Sequence, residues 1–363
     1  MKSKSVVKLL LIITVSSLLY SFTQGNGHAE EENRPADPWQ VFQLDTKASL
    51  RGLHVLSDST IWASGTGGTI VHSTDSGKTW NLSVVSGAEN LDFRDIHAIN
   101  SQTIVAMTSG TPACVYRSTD GGANWQRVYE NKDERIFLDA LSFLNKKDGI
   151  IMGDPIDGKI FLLTTSDGGV SWKPVDDSPQ VRPGEAGFAA SGTNMITTSG
   201  SNIFIALGSG LKGEVSETSR ITISRDAGQT WTMASVPILR DPSSGIFSVC
   251  FFNQKCGMVV GGNYTLADDK THNYAVSSDG GMTWTIPDGA KPPSGFRSCV
   301  TRGQHHGVPC AITVGPSGTD ISFDLGHTWQ RISETGFHSI QFSPKGTRGW
   351  ASGSDGRLGF WKQ

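Results

Sequence analysis

Short apolar runs alternate with polar positions along most of this chain, and turn-forming residues interrupt them every few positions. Thr69-Ile70-Val71-His72 and Asn81-Leu82-Ser83-Val84-Val85 are two such runs, each of strand length. Between them lies an octapeptide that recurs six times. It reads STDSGKTW at 73–80, STDGGANW at 118–125, TSDGGVSW at 165–172, SRDAGQTW at 224–231, SSDGGMTW at 277–284 and SFDLGHTW at 322–329. The pattern encodes a hairpin turn. Its Asp accepts hydrogen bonds from nearby backbone N–H groups. Its Gly takes a positive φ that other residues resist. Its Trp opens the next strand and packs its ring under the turn.

The central acids are Asp75, Asp120, Asp167, Asp226, Asp279 and Asp324, spaced by 45, 47, 59, 53 and 45 residues. A period near 45 with several short strands is that of a propeller blade. The longer steps imply insertions in blades 4 and 5, roughly 208–219 and 263–273. Inner strands open at Leu50-Arg51-Gly52-Leu53, Phe93-Arg94-Asp95-Ile96, Phe137-Leu138-Asp139-Ala140, near Phe188-Ala189-Ala190, and at Phe247-Ser248, Phe296-Arg297 and Phe337-His338. Seven openings against six turns leave one blade short of a strand. Trp39-Gln40-Val41-Phe42 resembles the Trp125 and Trp329 strands that follow turns, so residues 39–45 are expected to complete the last blade. The expected fold is all-β, a seven-bladed β-propeller closed by an N-terminal strand, which hides open strand edges.

Composition supports this reading, with 43 Gly and 10 Trp in 363 residues. A net charge of −3 gives no sign of a nucleic-acid partner. Lys2, Lys4 and Lys8 precede an apolar run, Leu9 to Leu19, that is short for a membrane span. Gly27-His28-Ala29 offers a cleavage site. The expected organisation is therefore a signal peptide at 1–29, a polar leader at 30–37 and the propeller at 38–363, exported to the periplasm or secreted, with no membrane span after cleavage. An uncleaved N-terminal anchor is the alternative. Five Cys allow local pairs (Cys250 with Cys256, Cys299 with Cys310), a Cys250–Cys299 pair between blades, or five buried thiols. Asn81 and Asn263 begin N-x-Ser/Thr triplets, which are weak signals. No metal spacing and no cofactor motif is found: Gly65-Thr66-Gly67-Gly68 has no helix behind it, and His305-His306 reads as a solvated turn.

The octapeptides resemble Asp boxes, or BNR repeats, of sialidases and other propellers, and the resemblance implies that the six Asp are structural. Across the mature chain, SLRGLHVLSDSTIWASGTGGTI, LDFRDIHAI, FLDALSF, GDPIDG and GEAGFAASGTN resemble the photosystem II stability/assembly factor-like propellers. Bacterial relatives of this type are often labelled oxidoreductase. The plant and cyanobacterial members are implied to bind photosystem subunits during assembly.

Function on such a scaffold is expected in loops at the face where inner strands begin, here the top. The second motif position should face the channel there. Arg297, His338, Arg51 and Arg94 would form a basic arc, facing Leu138 and Ser248. Asp95, Asp139, Asp154, Asp157 and Glu185 fall in the same region. Clustered guanidinium groups suit a carboxylate or phosphate. Alternatively, the Arg residues pair with Asp95, Asp139 and Glu185 and stiffen the channel. The leading function is a monomeric binding or assembly scaffold, with a protein tail or other anionic ligand on the top face and no catalytic residue. A sialidase-like hydrolase would need three Arg and a Tyr/Glu pair. No mature-chain Tyr (Tyr116, Tyr129, Tyr264, Tyr274) lies on an inner strand. A redox enzyme is the third reading.

Overall fold

Each Asp box folds as its sequence demands. In blade 1, Asp75 Oδ1 accepts the Thr79 N–H at 2.9 Å and the Ser73 hydroxyl at 2.8 Å, and Asp75 Oδ2 accepts the Thr79 hydroxyl at 2.7 Å. Ser73 Oγ in turn accepts the Gly77 N–H at 2.9 Å. The Thr79 hydroxyl, then its N–H, hold the Asp75 carboxyl down at about 2. The same network repeats around Asp120, Asp167, Asp226, Asp279 and Asp324.

The computed structural model describes residues 36–211 and 218–362, so the signal-peptide expectation and most of the leader lie outside the described residues. Seven antiparallel sheets follow one another. Blade 1 contains Leu50–Val55, Ile61–Gly65, Thr69–Ser73 and Asn81–Val84. The inner strands of blades 2 to 7 are Asp92–Ala98, Leu138–Phe143, Met195–Thr198, Ser244–Phe251, Cys299–His305 and Ser339–Phe342. Successive inner strands touch all the way round, and the last returns to the first. Strand Trp39–Gln43 completes blade 7, with Trp39 opposite Trp361, as the sequence predicts. Blade 5 has three strands, and its fourth position keeps a single bridge, Val276 to Thr285, before Pro287. All five cysteines are free.

Blades are joined through their boxes. A Cβ on Gly77 would lie 2.1 Å from Trp350 of blade 7, and one on Gly122 would lie 2.7 Å from Trp62 of blade 1. Both glycines also have positive φ, 75° and 86°. The box of one blade thus closes against the second strand of the previous one.

One expectation is corrected. The inner strand of blade 4 is Met195–Thr198, not the Phe188-Ala189-Ala190 stretch, which precedes it and is not a strand. Bulges correct the register elsewhere. In blades 1 and 2 the ladder skips Arg51 and Arg94, as expected for residues turned to the channel. In blade 3 it skips Asp139 rather than Leu138, and in blade 5 Phe247 rather than Ser248. In blade 6 Cys299 pairs with Val314, which puts Ser298 at the channel position and Arg297 one residue earlier, on the core side. A slip of one residue changes the face a side chain occupies.

Two stability outcomes follow. Trp39 is buried, stacks edge-on to Trp361 at 5.0 Å and donates to Thr319 of blade 6. Trp39→Ala should cost about 3–5 kcal/mol in urea unfolding, because it leaves a cavity at the seam. Gly77→Ala meets both the φ restriction and Trp350, and should lose at least about 2 kcal/mol by the same measurement. An unchanged midpoint in either variant would contradict the closure described.

Candidate functional site

The channel is not open at the top. Residues 186–194 cross its mouth and touch most of the ring. Gly187 N–H donates to Asp154 of blade 3 at 3.2 Å. Arg51 and Arg94 donate to the carbonyls of Ala190 and Ala189 at 3.4 and 3.0 Å. Ser191 donates to the Ser298 carbonyl at 2.9 Å, and Thr193 shares a 2.7 Å bond with Ser248. A Cβ on Gly192 would fall 2.5 Å from the Asp95 carboxylate, so only glycine passes there. This segment is the GFAASGTN stretch, whose Phe188-Ala189-Ala190 was expected to open an inner strand.

The predicted basic arc is reduced by the fold. Arg51 and Arg94 do sit together at the mouth. Burial lowers the Arg51 pKa, with Arg94 adding to the effect and Asp92 opposing it. Arg94 is also tied to Asp92 at 2.8 Å and to Ser109 at 3.2 Å. His338 lies beside them, hydrogen-bonded to Ser49 and Ser354 at 3.1 Å each. Burial first, then Arg51, Arg94 and Arg357, push its pKa down to about 3, so it is neutral at physiological pH and adds no charge. Arg297 is fully buried and ion-paired to Asp320, with further bonds to Phe296 and Ser317. It stiffens blade 6 and is not offered at the mouth. Arg357, which opens the third strand of blade 7, is a cation at the mouth that the motif alignment missed.

The acidic residues divide in the same way. Asp95 is buried and accepts the N–H of Ile96 and of Leu141 in the next blade, both at 2.8 Å. Burial outweighs those bonds and raises its pKa to about 7. Burial and then the neighbouring Asp154 push Asp139 well above the usual carboxylate range, against the pull of Arg94. Burial raises Asp154 itself to about 6. Burial opposes charge on Glu185, but Arg220 and Arg182 clamp it and the net effect is a lowered pKa. It is a structural ion pair of blade 4. Asp157 lies outside the cluster, exposed and 3.3 Å from Arg135.

An aromatic shelf adjoins the arginines. Phe188 stacks on Phe247 at 4.0 Å, Phe247 meets Phe296 edge-on at 4.6 Å, and Tyr264 leans on Phe188 and Phe247 at 6.2 Å. Tyr264 and Leu266 remain about half exposed. Sequence reading missed the shelf because it joins the plug, a bulge and an insertion loop. The mouth therefore offers cations on the side of blades 7, 1 and 2 and aromatic surface on the side of blades 4 to 6. Among the described residues, no cluster of three or more His, Cys, Asp or Glu could hold a metal ion, and no helix is long and apolar enough to cross a membrane.

Residues 31–135 match the family described as Photosynthesis system II assembly factor YCF48. A relative, the photosystem II assembly lipoprotein Ycf48 of Synechococcus sp. (strain CC9902), is 24% identical over 347 residues, covering 86% of this chain and 95% of its own. Two solved structures share the fold. One, described as YCF48 bound to D1 peptide, is 18% identical, covers 90% of this chain and 97% of that one, and has a TM-score of 0.62. The other, YCF48 from Cyanidioschyzon merolae, is 17% identical, covers 90% and 99%, and has a TM-score of 0.58.

The carboxyl groups fix a pH dependence. Asp95 at about 7 and Asp154 at about 6 hold protons that the unfolded chain, with Asp at 3.8, releases. Their contribution to stability is full below about pH 4 and is lost as pH rises through 6–7, by up to about 1.4 kcal/mol per pH unit per proton. Buried His54, His97 and His338, whose pKa values burial lowers, act in the opposite sense between pH 5 and pH 8, so the carboxyl contribution is read from a variant. Asp154→Asn keeps the acceptor for Gly187 and removes a charge beside Asp139, so relative to the unsubstituted chain its chemical unfolding should shift in favour of pH 8 over pH 5. The same pH 5 to pH 8 difference in both proteins would refute the assignment.

Proposed function

We propose that this chain, an Asp-box propeller akin to the Ycf48 assembly factors of photosystem II, is a binding scaffold whose channel mouth receives an anionic segment of a partner protein. The observation that carries this reading is the arginine pair. Arg51 and Arg94 already donate to two consecutive peptide carbonyls, those of Ala190 and Ala189. A surface built this way suits an extended chain. A carboxylate at its end would form charge-assisted bonds, shorter and about twice as strong as neutral ones. Arg357 adds a third positive group on the same side. The shelf of Phe188, Phe247 and Tyr264 lies one residue along the plug from these contacts, so it is placed to take an apolar side chain near the carboxylate.

Kinship with an assembly factor, one of whose structures holds a D1 peptide, supports a protein tail as the ligand. The remaining parts of the proposal concern context. The Lys-led apolar run at residues 9–19 and the relative's description as a lipoprotein support export across a membrane. In this chain no Cys lies near that run to carry a lipid. The propeller acts as a monomer, with Asp75, Asp120, Asp167, Asp226, Asp279 and Asp324 holding turns rather than contacting ligand.

The test is calorimetric titration of a D1 peptide with a free or an amidated carboxyl end. The free form should bind, the amidated form should bind at least about tenfold more weakly, a difference of about 1.4 kcal/mol, and affinity should fall as salt rises. Arg51→Ala should weaken the free form to a similar degree while keeping the native circular dichroism spectrum. Wild-type affinity in that variant would rule out the mouth as the binding site.

A further inference from the structure

The channel is closed at one face only. On the opposite face, where the Asp-box turns lie, the inner strands of blades 4 to 7 end around a cavity of about 930 Å³. Its deep wall includes Thr193, the last plug residue to reach it, with Val249, Val300 and Ile340 of the neighbouring inner strands. Thr197, Asn253, Gln304 and Gln341 add amides and a hydroxyl. The charged residues of the lining are Arg225, Arg302 and Lys345, and no carboxylate is among them.

That imbalance is unusual in a chain with more acidic than basic residues, 34 against 31. Two carboxylates near these cations stay outside the lining. Asp226, next to Arg225, is held inside its own box by Ser224 and Thr230. Asp58 accepts the hydroxyls of Ser343 and Thr347 at 2.6 and 3.0 Å, and the Lys345 charge also reaches it and helps to lower its pKa.

Two of the cations are also fixed in place. Arg302 donates to the Phe252 carbonyl at 2.9 Å. Arg225 stacks over the Phe204 ring at 4.9 Å and donates to the Gly280 carbonyl. Each guanidinium has five donors, so both keep N–H groups to offer a ligand. A cation already held in position loses little side-chain freedom on binding. Arg225, Arg302 and Lys345 come from three different blades, so their charges are spread around the basin. A single monovalent ion would meet one of them, whereas a multivalent anion could meet several. The volume lies within the range of small-molecule sites, about 300–1,000 Å³.

We propose that this basin is a second ligand site, separate from the plugged mouth, for a small multivalent anion bearing carboxylate or phosphate groups. It does not depend on the scaffold reading, because none of its charged groups lies at the mouth.

The test is calorimetric titration of the full mature chain with citrate and, separately, with tripolyphosphate, at low salt. At least one should bind with a sub-millimolar Kd, and which one binds decides between polycarboxylate and phosphate chemistry. Arg302 and Lys345 are exposed, so Arg302→Gln/Lys345→Gln should fold with an unchanged thermal midpoint and bind at least about tenfold more weakly. Arg51→Ala, at the other face, should leave the affinity unchanged. The proposal is overturned if neither anion binds with a Kd below about 1 mM, which corresponds to about 4 kcal/mol. It also fails if the double variant binds as tightly as the unsubstituted chain, or if Arg51→Ala abolishes binding, which would put the anion at the mouth.

Discussion

A propeller leaves the inner edge of every sheet facing the axis, where no further strand fits. Backbone N–H groups on those edges are buried and must find acceptors. Here the neighbouring blade supplies them. Leu141 of blade 3 donates to Asp95 of blade 2, Val300 of blade 6 to Ser248 of blade 5, Ile340 of blade 7 to the Cys299 sulfur of blade 6, and Val55 of blade 1 to Gln341 of blade 7. Val249 of blade 5 donates to the carbonyl of Thr193 in the plug. Asp95 is thus engaged by the ring itself despite its place in the channel, whereas both oxygens of Asp139 and the amide of Asn194 are buried without a hydrogen-bond partner.

The residue just before that linking position is left to do something else. Where a bulge turns it out of the ladder it reaches the mouth, as with Arg51, Arg94, Asp139 and Phe247. In blades 2 and 5 two adjacent positions divide the work: Asp95 and Ser248 satisfy the neighbouring edge, while Arg94 and Phe247 turn out of the ladder. The plug completes both. It fills the axis, and it presents its own carbonyls to Arg51 and Arg94, so the mouth is a built surface of cations and aromatic rings and not an empty hole.

The two ends of the channel consequently differ in kind. At the top, charges of both signs are packed close together, and burial neutralises His338 and raises Asp95, Asp139 and Asp154. At the bottom, cations stand around an open basin without carboxylates. The plug lies between them, reaching from the Arg51 and Arg94 contacts to Thr193 in the basin wall.

The recurring Asp–Gly–Trp turn was enough to read the blade count and the all-β fold, because each box satisfies itself within eight residues and its period marks the blade. The strand exchange between Trp39 and Trp361 was read from the likeness of Trp39-Gln40-Val41-Phe42 to the strands that follow boxes. The resemblance to the assembly-factor propellers was carried by contiguous motifs, and the family model matches residues 31–135. The mouth was read only in part. Arg51 and Arg94 turn out of the ladder beside the plug, whereas a single-residue shift between blades 2 and 6 pairs Arg297 with Asp320 in the core. The plug, the shelf and the basin were invisible to sequence, since each is assembled from blades far apart in the chain, and only closure of the ring brings their residues within reach of one another.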